Sequence, residues 1–395
     1  MRPECYQALV DRSWRRSGTL LYRPNQRDAC CPHYTLRTDS TLFRPTKDQR
    51  QAINRFNRFV IGDTYAKEAA RRYPKSREQA HKRDTEFILT ERIHECERKS
   101  LNQPPEPAHS LDVTLEQDIF TQEKFELYDN YQRNVHGESG SDISRESFTK
   151  FLCNSPLERE TVSMSGGQVK RLGSYHQCYR LDGRLVAVGV LDLLPHAVSA
   201  VYFMYHESIQ SWSPGKLGAL REIALAMEGG YRWWYPGFYI HTCPKMRYKM
   251  DYSPQQILNP NNMEWVEVSG EVVAGFDSRG YLNFSSIDGS EVADTENKQA
   301  RSLMSPEDEL DDGLDDSLLL SNMPGLPSTK DVLSYDFDNV PVRLRRGIYT
   351  AVDVFQWQDE ENFQYGFGAK GDVAEMAAAV GLDIMPQLCL DFASA

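Results

Sequence analysis

The sequence predicts an α+β fold in which a mixed β-sheet carries helices. Residues 185–194 form a nearly continuous run rich in Val and Leu, which is typical of a buried strand. Residues 197–205 supply a second apolar strand. A helix is then expected over 214–228, because a Gly-Gly pair follows directly and acts as a stop signal. An aromatic strand over 231–240 completes this unit.

The order strand, strand, helix, strand is the central unit of an N-acetyltransferase-like (GNAT-type) fold, which we expect for residues 111–287. In such a fold the start of the helix points into a cleft. The helix carries the apolar stripe needed to pack on a sheet, formed by Leu217, Leu220, Ala224 and Met227. A fold of this kind does not by itself assign a function.

A small N-terminal domain is expected over residues 1–62. Its clearest element is a helix that begins after Thr46, because Thr46 and Gln49 match a capping box. The apolar face of this helix is formed by Ile53, Phe56, Phe59 and Val60. Three arginines lie elsewhere on the helix, and a solvated basic surface is the simpler interpretation of Arg50, Arg55 and Arg58.

The remaining segments differ in composition. Residues 63–110 are highly charged and end in a Pro-rich stretch, which favours a linker or helical region. Acidic and polar residues dominate 288–331, where 12 acids accompany 3 bases, so we expect a disordered acidic insert. Residues 332–395 should complete the fold, with a short Ala-rich helix over 373–380.

The overall composition excludes several classes of protein. Apolar residues make up 40% of the chain, which is enough for a core and excludes wholesale disorder. No apolar run approaches the roughly 20 residues that cross a bilayer, and the N-terminus lacks the apolar stretch of a secretory signal. Eight cysteines in 395 residues are too sparse for a disulfide scaffold. We therefore expect a cytoplasmic or nuclear protein without a membrane partner.

The net charge of -12 hides an asymmetry along the chain. Residues 1–100 hold 22 Lys and Arg against 13 Asp and Glu, while the remainder holds 23 against 44. Charges separated by more than about 8–10 Å are largely screened, so phosphate attraction is local. Acidic segments therefore do not exclude an RNA-binding face elsewhere.

Residues 211–216 could bind an anion at the start of the predicted helix. Ser213 can cap the helix, Gly215 lets the backbone approach a ligand, and Lys216 adds a positive charge. An ordinary capped helix is the alternative interpretation. The segment lacks P-loop spacing, which argues against nucleotide hydrolysis.

A basic segment follows the aromatic strand. Lys245, Arg247 and Lys249 place three cations within five residues, and Tyr248 lies among them. This combination suits a phosphate backbone and a stacked base. A basic loop with Tyr248 packed inward fits the same residues equally well.

Two further features invite a functional interpretation. Cys30 and Cys31 could supply two metal ligands, although two small side chains around a turn are the simpler interpretation because no C-x-x-C lies elsewhere. Asp192 lies within an otherwise apolar strand. Since buried carboxylates need partners, it is either a structural hydrogen-bonding residue or a site residue.

These segments together resemble the arginyl-tRNA–protein transferases, in particular fungal-like ones, which attach arginine to protein N-termini in the N-degron pathway. The N-terminal part of the resemblance comprises YQALVDRSWRRSG at 6–18 and CCPHYTLR at 30–37. The longest stretch covers 176–248 and includes LDLLP at 191–195, and KMRYK at 245–249 ends it. The resemblance spans roughly residues 1–265, with gaps.

The resemblance implies a reaction and a set of roles. Arginine arrives as an ester on its tRNA, and the α-amine of a protein that begins with Asp, Glu or oxidised Cys attacks the ester carbonyl. Arg15 and Arg16 are candidates to meet the acidic side chain, and the candidate catalytic groups are Asp192, Tyr239 and His241. The expected binding residues for tRNA and substrate are Ser213, Gly215, Lys216, Lys245, Arg247, Tyr248 and Lys249. The implied partners are arginyl-tRNA and proteins with acidic N-termini, and DNA is not among them.

One departure from the family pattern concerns a metal. The family carries a C-x-x-C pair upstream of its Cys-Cys pair, and together they bind an iron–sulfur cluster or another metal such as zinc. The upstream pair is absent here, so Cys30 and Cys31 are expected to form half of a site, through a truncated N-terminus or loss of the metal. The chemistry itself requires no cofactor.

Two other functions compete with this one. An acetyl-CoA-dependent N-acetyltransferase on the same fold needs a Gly-rich pyrophosphate loop before the long helix, and residues 211–216 lack that spacing. The third hypothesis is a non-catalytic relative that keeps the fold and binds RNA or N-degrons.

Overall fold

A computed structural model describes residues 1–140, 143–164, 166–167, 169–278, 281–282, 284, 317–357 and 368–393. The strands are Arg15–Ser17 (β1), Leu20–Tyr22 (β2), Tyr34–Asp39 (β3), Leu111–Gln117 (β4), Glu160–Ser163 (β5), Val169–Leu181 (β6), Arg184–Leu194 (β7), Ala197–Tyr205 (β8), Trp233–Tyr235 (β9), Phe238–Tyr239 (β10), Gln255–Leu258 (β11), Trp265–Glu267 (β12), Pro341–Leu344 (β13), Gly347–Thr350 (β14) and Leu390–Asp391 (β15).

The helices in these ranges are Pro3–Val10 (α1), Lys47–Ile61 (α2), Asp63–Arg72 (α3), Arg77–Thr85 (α4), Leu89–Arg92 (α5), Gln122–Tyr131 (α6), Arg145–Phe148 (α7), Pro214–Glu228 (α8), Pro244–Arg247 (α9), Gly270–Ser278 (α10), Thr329–Leu333 (α11), Ala351–Phe355 (α12) and Gly368–Val380 (α13). None of the helices in the described ranges is long and apolar enough to span a bilayer.

A ten-stranded mixed sheet organises the fold. Its strand order is β12-β11-β3-β9-β8-β7-β6-β4, with β10 beside β3 and β5 beside β6. Neighbours in it run antiparallel except β8 and β9, which run parallel and are joined by α8. The α+β prediction with a mixed sheet is confirmed.

Helices cover both faces of this sheet. On one face α8 packs with residues of α2 and α5 over Leu191, Leu193 and Val198. On the other face α6 and α7 pack over Val188 and Val190. Strand β7 is buried almost throughout because it lies between these layers, which explains its continuous apolar sequence.

The prediction of a separate N-terminal domain over 1–62 is wrong. Strand β3 lies inside the large sheet, where it pairs with β9, β10 and β11. The sequence YTLRTD mixes polar and apolar residues, so it lacks the apolar run that identified β7. Its burial comes from partners that are distant in the chain. The capping box at Thr46 and Gln49 is present as predicted.

Order resumes earlier than predicted after the acidic stretch. The expected disordered insert covered 288–331; residues 288–316 lie outside the described ranges, but 317–331 are described and partly buried. Ser317 and Met323 are buried, and the first turns of α11 follow at Thr329. Leu319 and Leu326 of this segment pack on the C-terminal part of the chain, which the acidic composition had obscured.

Residues 317–357 and 368–393 form a C-terminal module that packs against the first helix. It contains the small sheet β14-β13-β15 and helix α13. Leu9 of α1 belongs to its apolar cluster. Arg12 donates two hydrogen bonds of 2.7 Å to the carboxylate of Asp383, and the Trp14 indole donates to the carbonyl of Ala379 at 3.2 Å. The module therefore supports the segment that leads into β1.

Candidate active site

A pocket of about 230 Å³ lies where the two parallel strands separate. Strands β8 and β9 pair only at 197–199 with 233–235. Beyond that point Ser199–Val201 form one wall and Pro236–Phe238 the other. Ligand sites form at such strand ends because backbone groups there lose their ladder partners. We call this the strand-end pocket.

Three cationic residues line the strand-end pocket, and two of them, Arg15 and Lys249, have no carboxylate partner among the described residues. Arg15 is 6% exposed, and its Nη1 donates to the carbonyls of Val10 and Trp14 at 3.2 and 2.7 Å. Its Nε and Nη2 have no hydrogen-bond partner among the described residues. Burial lowers the pKa of Arg15 because it disfavours the charged guanidinium. The hydrogen bonding of this buried side chain is incomplete.

Lys249 is the second cation of this pocket. Its side chain is buried, and its Nζ donates to the carbonyl of Phe238 at 2.7 Å. Burial, followed by the nearby charge of Arg15, lowers the pKa of Lys249 to about 8. A carboxylate in the pocket would meet two cations in a place where water screens them poorly.

His33 adds a neutral polar group to the same wall. It lies edge-on to Phe238 with 5.3 Å between ring centroids. Burial lowers the pKa of its imidazole, and its Nδ1 has no partner among the described residues. The ring is therefore neutral near pH 7 and has a nitrogen able to accept a proton.

Arg16 and Asp192 bind each other rather than a substrate. Arg16 Nε and Nη2 donate to the two carboxylate oxygens of Asp192 at 2.8 Å each, and Ser174 donates to the same carboxylate at 2.6 Å. The two side chains are 1% and 0% exposed. Burial disfavours the charge of Arg16, but Asp192 opposes this and raises its pKa. All the guanidinium nitrogens of Arg16 thus have partners within the chain, and this arrangement favours the structural alternative for Asp192, whose role stays a prediction.

Tyr239 and His241 do come together, but away from Asp192 and the strand-end pocket. The Tyr239 hydroxyl lies 2.7 Å from His241 Nδ1, and His241 Nε2 lies 2.9 Å from Asp277. His241 stacks on Phe276, whereas Ile240 between them borders the pocket. The three predicted catalytic residues thus do not form one constellation, because alternate side chains point to opposite faces of the strand.

A second pocket, of about 590 Å³, lies at the start of α8. We call it the helix-start pocket; it is lined by Thr46, Asp48, Gln49, Gly215, Lys216, Tyr248, Asp251, Tyr252 and Ser253. A Cβ built on Gly215 meets no atom within 4 Å, so the backbone there is open. Lys216 forms an ion pair with Asp48, which reduces its availability for a phosphate.

Ser213 does not cap α8 as predicted. Its backbone is left-handed, with φ of 58°, and its side chain accepts no capping hydrogen bond. Its hydroxyl instead lies 3.4 Å from Arg55 Nη2. Arg55, which the sequence predicted to be part of a solvated basic surface, therefore lies beside the predicted anion site.

The basic segment 244–251 separates the two pockets. Lys245 and Arg247 are exposed, and Tyr248 borders the helix-start pocket while Lys249 points into the other. Arg247 Nε donates to the carbonyl of His241 at 3.0 Å. The four predicted binding residues thus divide between the two sides of one short segment.

Cys30 and Cys31 do not fit a metal centre in this structure. Cys30 is exposed and Cys31 is half-buried. Hydrogen bonds with Thr242 and Cys30 lower the pKa of Cys31. No group of three or more His, Cys, Asp or Glu side chains in the described ranges could hold a metal ion.

One buried carboxyl was not predicted. Glu222 lies on α8 and is 3% exposed, and it accepts a hydrogen bond from the Trp234 indole at 2.8 Å. Burial raises its pKa to about 7. Its position between Leu220 and Ile223 on the buried side of the helix was the available signal.

Two family profiles match the chain. The profile "Arginine-tRNA-protein transferase, N terminus" covers residues 1–51, and its companion "C terminus" covers residues 123–259. The strand-end pocket uses residues from both matched regions, because Arg15 lies in the first and Lys249 in the second. A solved C-terminal domain (DUF2156) from Agrobacterium fabrum shares 12% identity, covers 53% of this chain and 46% of that chain, and has a TM-score of 0.26, which is too low to assign a fold.

Curated relatives include arginyl-tRNA–protein transferases and a leucyltransferase. Arginyl-tRNA–protein transferase 1 of Saccharomyces cerevisiae is 30% identical over 265 residues, which cover 63% of this chain and 48% of that protein, so the chain spans about half of the yeast protein's length. The Arabidopsis thaliana protein of the same name is 27% identical, covering 71% of this chain and 70% of its own. An aspartate/glutamate leucyltransferase of Pseudomonas fluorescens is 29% identical, covering 66% and 82%. Both terminal profiles of the arginine-tRNA-protein transferase family occur here in order, and the chain is similar to that family over residues 1–51 and 123–259.

Proposed function

We propose that this chain transfers arginine from arginyl-tRNA to the α-amine of proteins that begin with Asp, Glu or oxidised Cys, which marks them for ubiquitin-dependent degradation. The observation that carries the proposal is the strand-end pocket, where Arg15 and Lys249 are buried cations. A carboxylate or sulfur oxyanion would complete the hydrogen bonding of Arg15 Nε and Nη2. Similarity to this family supplies the donor, and the pocket supplies a reason for acidic acceptors.

The reaction replaces an ester by an amide. The α-amine nitrogen attacks the carbonyl carbon of the arginyl ester, a C–N bond forms, and the ribose oxygen leaves with the bonding electrons of the C–O bond. An α-amine with a pKa of about 7.7–8.0 is partly neutral at pH 7, so positioning supplies much of the catalysis. The amine then loses a proton, and His33 is a candidate acceptor because it is neutral and borders the pocket.

The proposal assigns the donor to the helix-start pocket. Gly215 leaves its backbone open there, and Tyr248 offers an aromatic face on which an adenine base can stack. Segment 244–251 borders both pockets, so the proposal requires the arginyl ester to extend past this segment to reach the amine. Lys245 and Arg247 are exposed on the same segment and remain candidates for phosphate contacts.

We also propose that the large sheet and its helices form a GNAT-type fold. Strands β8 and β9 are parallel, α8 connects them, and they separate beside the pocket. The need for no cofactor, the absence of a DNA or membrane partner, and a cytoplasmic or nuclear location stay predictions.

An acyl-transfer assay tests the proposal. The chain is incubated with arginyl-tRNA and a peptide that begins with Asp, and mass spectrometry measures addition of one arginyl residue. Leucyl-tRNA and acetyl-CoA serve as alternative donors, and peptides that begin with Asn or with an acetylated Asp serve as control acceptors. Arginine on the Asp peptide alone is expected. Acetyl or leucyl transfer in its place, or no transfer from any donor, would contradict the proposal.

A further inference from the structure

The solvent side of α2 is mainly cationic, and its one acid, Asp48, forms an ion pair with Lys216 of α8. The other exposed residues on this side are Lys47, Arg50, Gln51, Asn54, Arg55 and Arg58. The opposite side is buried through Ala52, Ile53 and Val60. The four cations and two amides form a surface that we call the α2 basic face.

Much of this charge is not neutralised within the chain. Arg58 pairs with Asp63, with 2.9 Å between Nε and Oδ1. Lys47, Arg50 and Arg55 form no ion pair with any residue that the structure describes. Arg50 and Arg55 lie instead near the rings of Phe87 and Trp212, at 6.0 and 5.8 Å from the ring centroids.

The α2 basic face adjoins the helix-start pocket. Thr46 and Gln49, from the first turn of α2 and its cap, line that pocket. Farther along the helix, Arg55 Nη2 lies 3.4 Å from both the Ser211 carbonyl and the Ser213 hydroxyl, at the start of α8. A ligand that extends out of the pocket past this point would reach the basic face directly.

We propose that the α2 basic face binds the sugar-phosphate backbone of the acceptor stem of the donor tRNA. The inference rests on the proposed function, because it takes the 3′ end of the tRNA to occupy the helix-start pocket. A 15-residue helix is about 22 Å long, which is enough for several successive phosphates. Double-stranded RNA is recognised mainly through phosphates and 2′-hydroxyls, for which arginines and amides are suitable partners.

The composition of the face favours RNA over a membrane surface. A helix that lies in a lipid interface buries an apolar side opposite its charges. The apolar side of α2 is already packed in the protein, and the basic face has no apolar side chain to insert. The attraction is compatible with the chain's net charge of -12, because screening makes it local.

Binding of uncharged tRNA tests this inference without any transfer step. The test variant carries Lys47→Gln, Arg50→Gln and Arg55→Gln. The control carries Lys67→Gln, Lys75→Gln and Arg77→Gln, which remove the same charge from exposed positions on α3, α4 and the turn between them. Filter binding is measured between 50 and 200 mM salt, and circular dichroism melting verifies the fold of each variant.

The test variant should bind tRNA about 10- to 100-fold more weakly, with a log–log salt slope reduced by about 2, since each lost phosphate contact removes roughly 0.7–0.9. The control should bind like the wild type. In the transfer assay the KM for arginyl-tRNA should rise while kcat is kept.

Three outcomes would overturn the inference: equal binding by both variants, no tRNA binding by the wild type, or a dependence seen only with phosphatidylserine vesicles. Its failure is distinguishable from failure of the proposed function. Arginine transfer with α2-independent tRNA binding would refute this inference alone. Binding of tRNA that depends on α2, without arginine transfer, would refute the proposed function alone.

Discussion

Lys249 holds a charge in surroundings that favour its neutral form. Burial and the nearby Arg15 lower its pKa to about 8, and a bound carboxylate would shift the balance back toward the ammonium. The acceptor's acidic side chain and the proton on Lys249 should therefore bind together. The proposed preference for acidic acceptors should therefore depend on pH in a measurable way.

Replacing Lys249 by Met should reduce kcat/KM for Asp-starting peptides by about 10- to 150-fold, because one charge-assisted hydrogen bond is lost. In the wild type, the ratio of kcat/KM for Asp- and Asn-starting peptides should be constant below pH 8 and fall as the pH rises through about 8. Titration of the acceptor's own α-amine affects both peptides and cancels in the ratio.

Lys75→Met serves as a control, since Lys75 is exposed and is not among the residues that line the strand-end pocket. A pH-independent ratio in the wild type, or an equal loss with both peptides in Lys249→Met, would show that Lys249 does not read the acceptor side chain.

The protonation of the buried Glu222 makes the free energy of unfolding depend on pH. Below about pH 4.5 its carboxyl is protonated in both folded and unfolded chains. Between 4.5 and 7 the unfolded chain releases this proton while the folded chain holds it, so the free energy of unfolding falls as the pH rises. Above pH 7 the loss stays constant at about 3 kcal/mol, the equivalent of the shift in pKa.

The variant Glu222→Gln keeps the shape of the side chain and an acceptor for Trp234, but it does not titrate. Urea denaturation at pH 5 and pH 8 should show a smaller decrease in the free energy of unfolding for the variant than for the wild type. Identical decreases would mean that Glu222 is ionised in the folded chain at pH 5.

Two adjacent arginines of the short strand β1 make different contacts. Arg15 borders the strand-end pocket, and Arg16 joins β1 to Asp192 near the end of β7. A partner removed from a buried ion pair leaves the other charge uncompensated, whereas removal of both is much less costly.

Asp192→Asn should therefore lower the free energy of unfolding by about 3–5 kcal/mol, and the double variant Arg16→Met with Asp192→Asn should be more stable than the sum of the two single effects predicts. Urea denaturation of the four proteins of this cycle measures the coupling. A fully stable Asp192→Asn with a greatly reduced kcat would instead return Asp192 to the catalytic group.

The elements that the sequence predicted well are those with a local signal. Strands β7 and β8 and helix α8 lie at 184–194, 197–205 and 214–228, almost as predicted, because an apolar run or a helical stripe identifies each one. Strand β3 has no such run, and its place in the sheet depends on β9 and β11, which are far away in the chain.

The candidate site shows the same division. Arg15 and Lys249 could be recognised as cations, but only the fold brings them to one pocket. In the sequence Arg16 cannot be distinguished from Arg15. Its ion-pair partner, the carboxylate of Asp192, lies on a different strand. Partner choice of this kind is a tertiary property, so no local pattern in either segment contains it.

At the scale of the whole molecule, the two ends of the chain share one apolar cluster. Leu9 of α1 packs with Val332, Phe337 and Ala377 of the C-terminal module. Arg23 adds hydrogen bonds to the carbonyls of Ala379 and Pro324, at 3.0 and 2.6 Å. These contacts lie on both sides of β1 and thereby constrain the wall that carries Arg15.

Leu9→Ala should cost about 2–5 kcal/mol in free energy of unfolding and, in addition, raise the KM for Asp-starting peptides more than the KM for arginyl-tRNA. Leu127→Ala removes an equally buried leucine from the cluster beneath α6, which does not include residues of the C-terminal module. It should cost similar stability without the selective change in KM. Parallel changes in both KM values for Leu9→Ala would show that the module does not support the acceptor wall.

The joining of the two ends also has a consequence for synthesis on the ribosome. Helix α1 is translated before residues 332–385, yet these later residues supply the apolar covering of its Leu9. A nascent chain therefore exposes Leu9 and a loosely held Arg15 until the C-terminal module has emerged, even though the large sheet can assemble before then. Ribosome stalling before residue 332 would release a chain whose sheet is complete and whose cationic wall is not. Such a chain would be recognised by chaperones through α1 and would be inactive toward acidic acceptors.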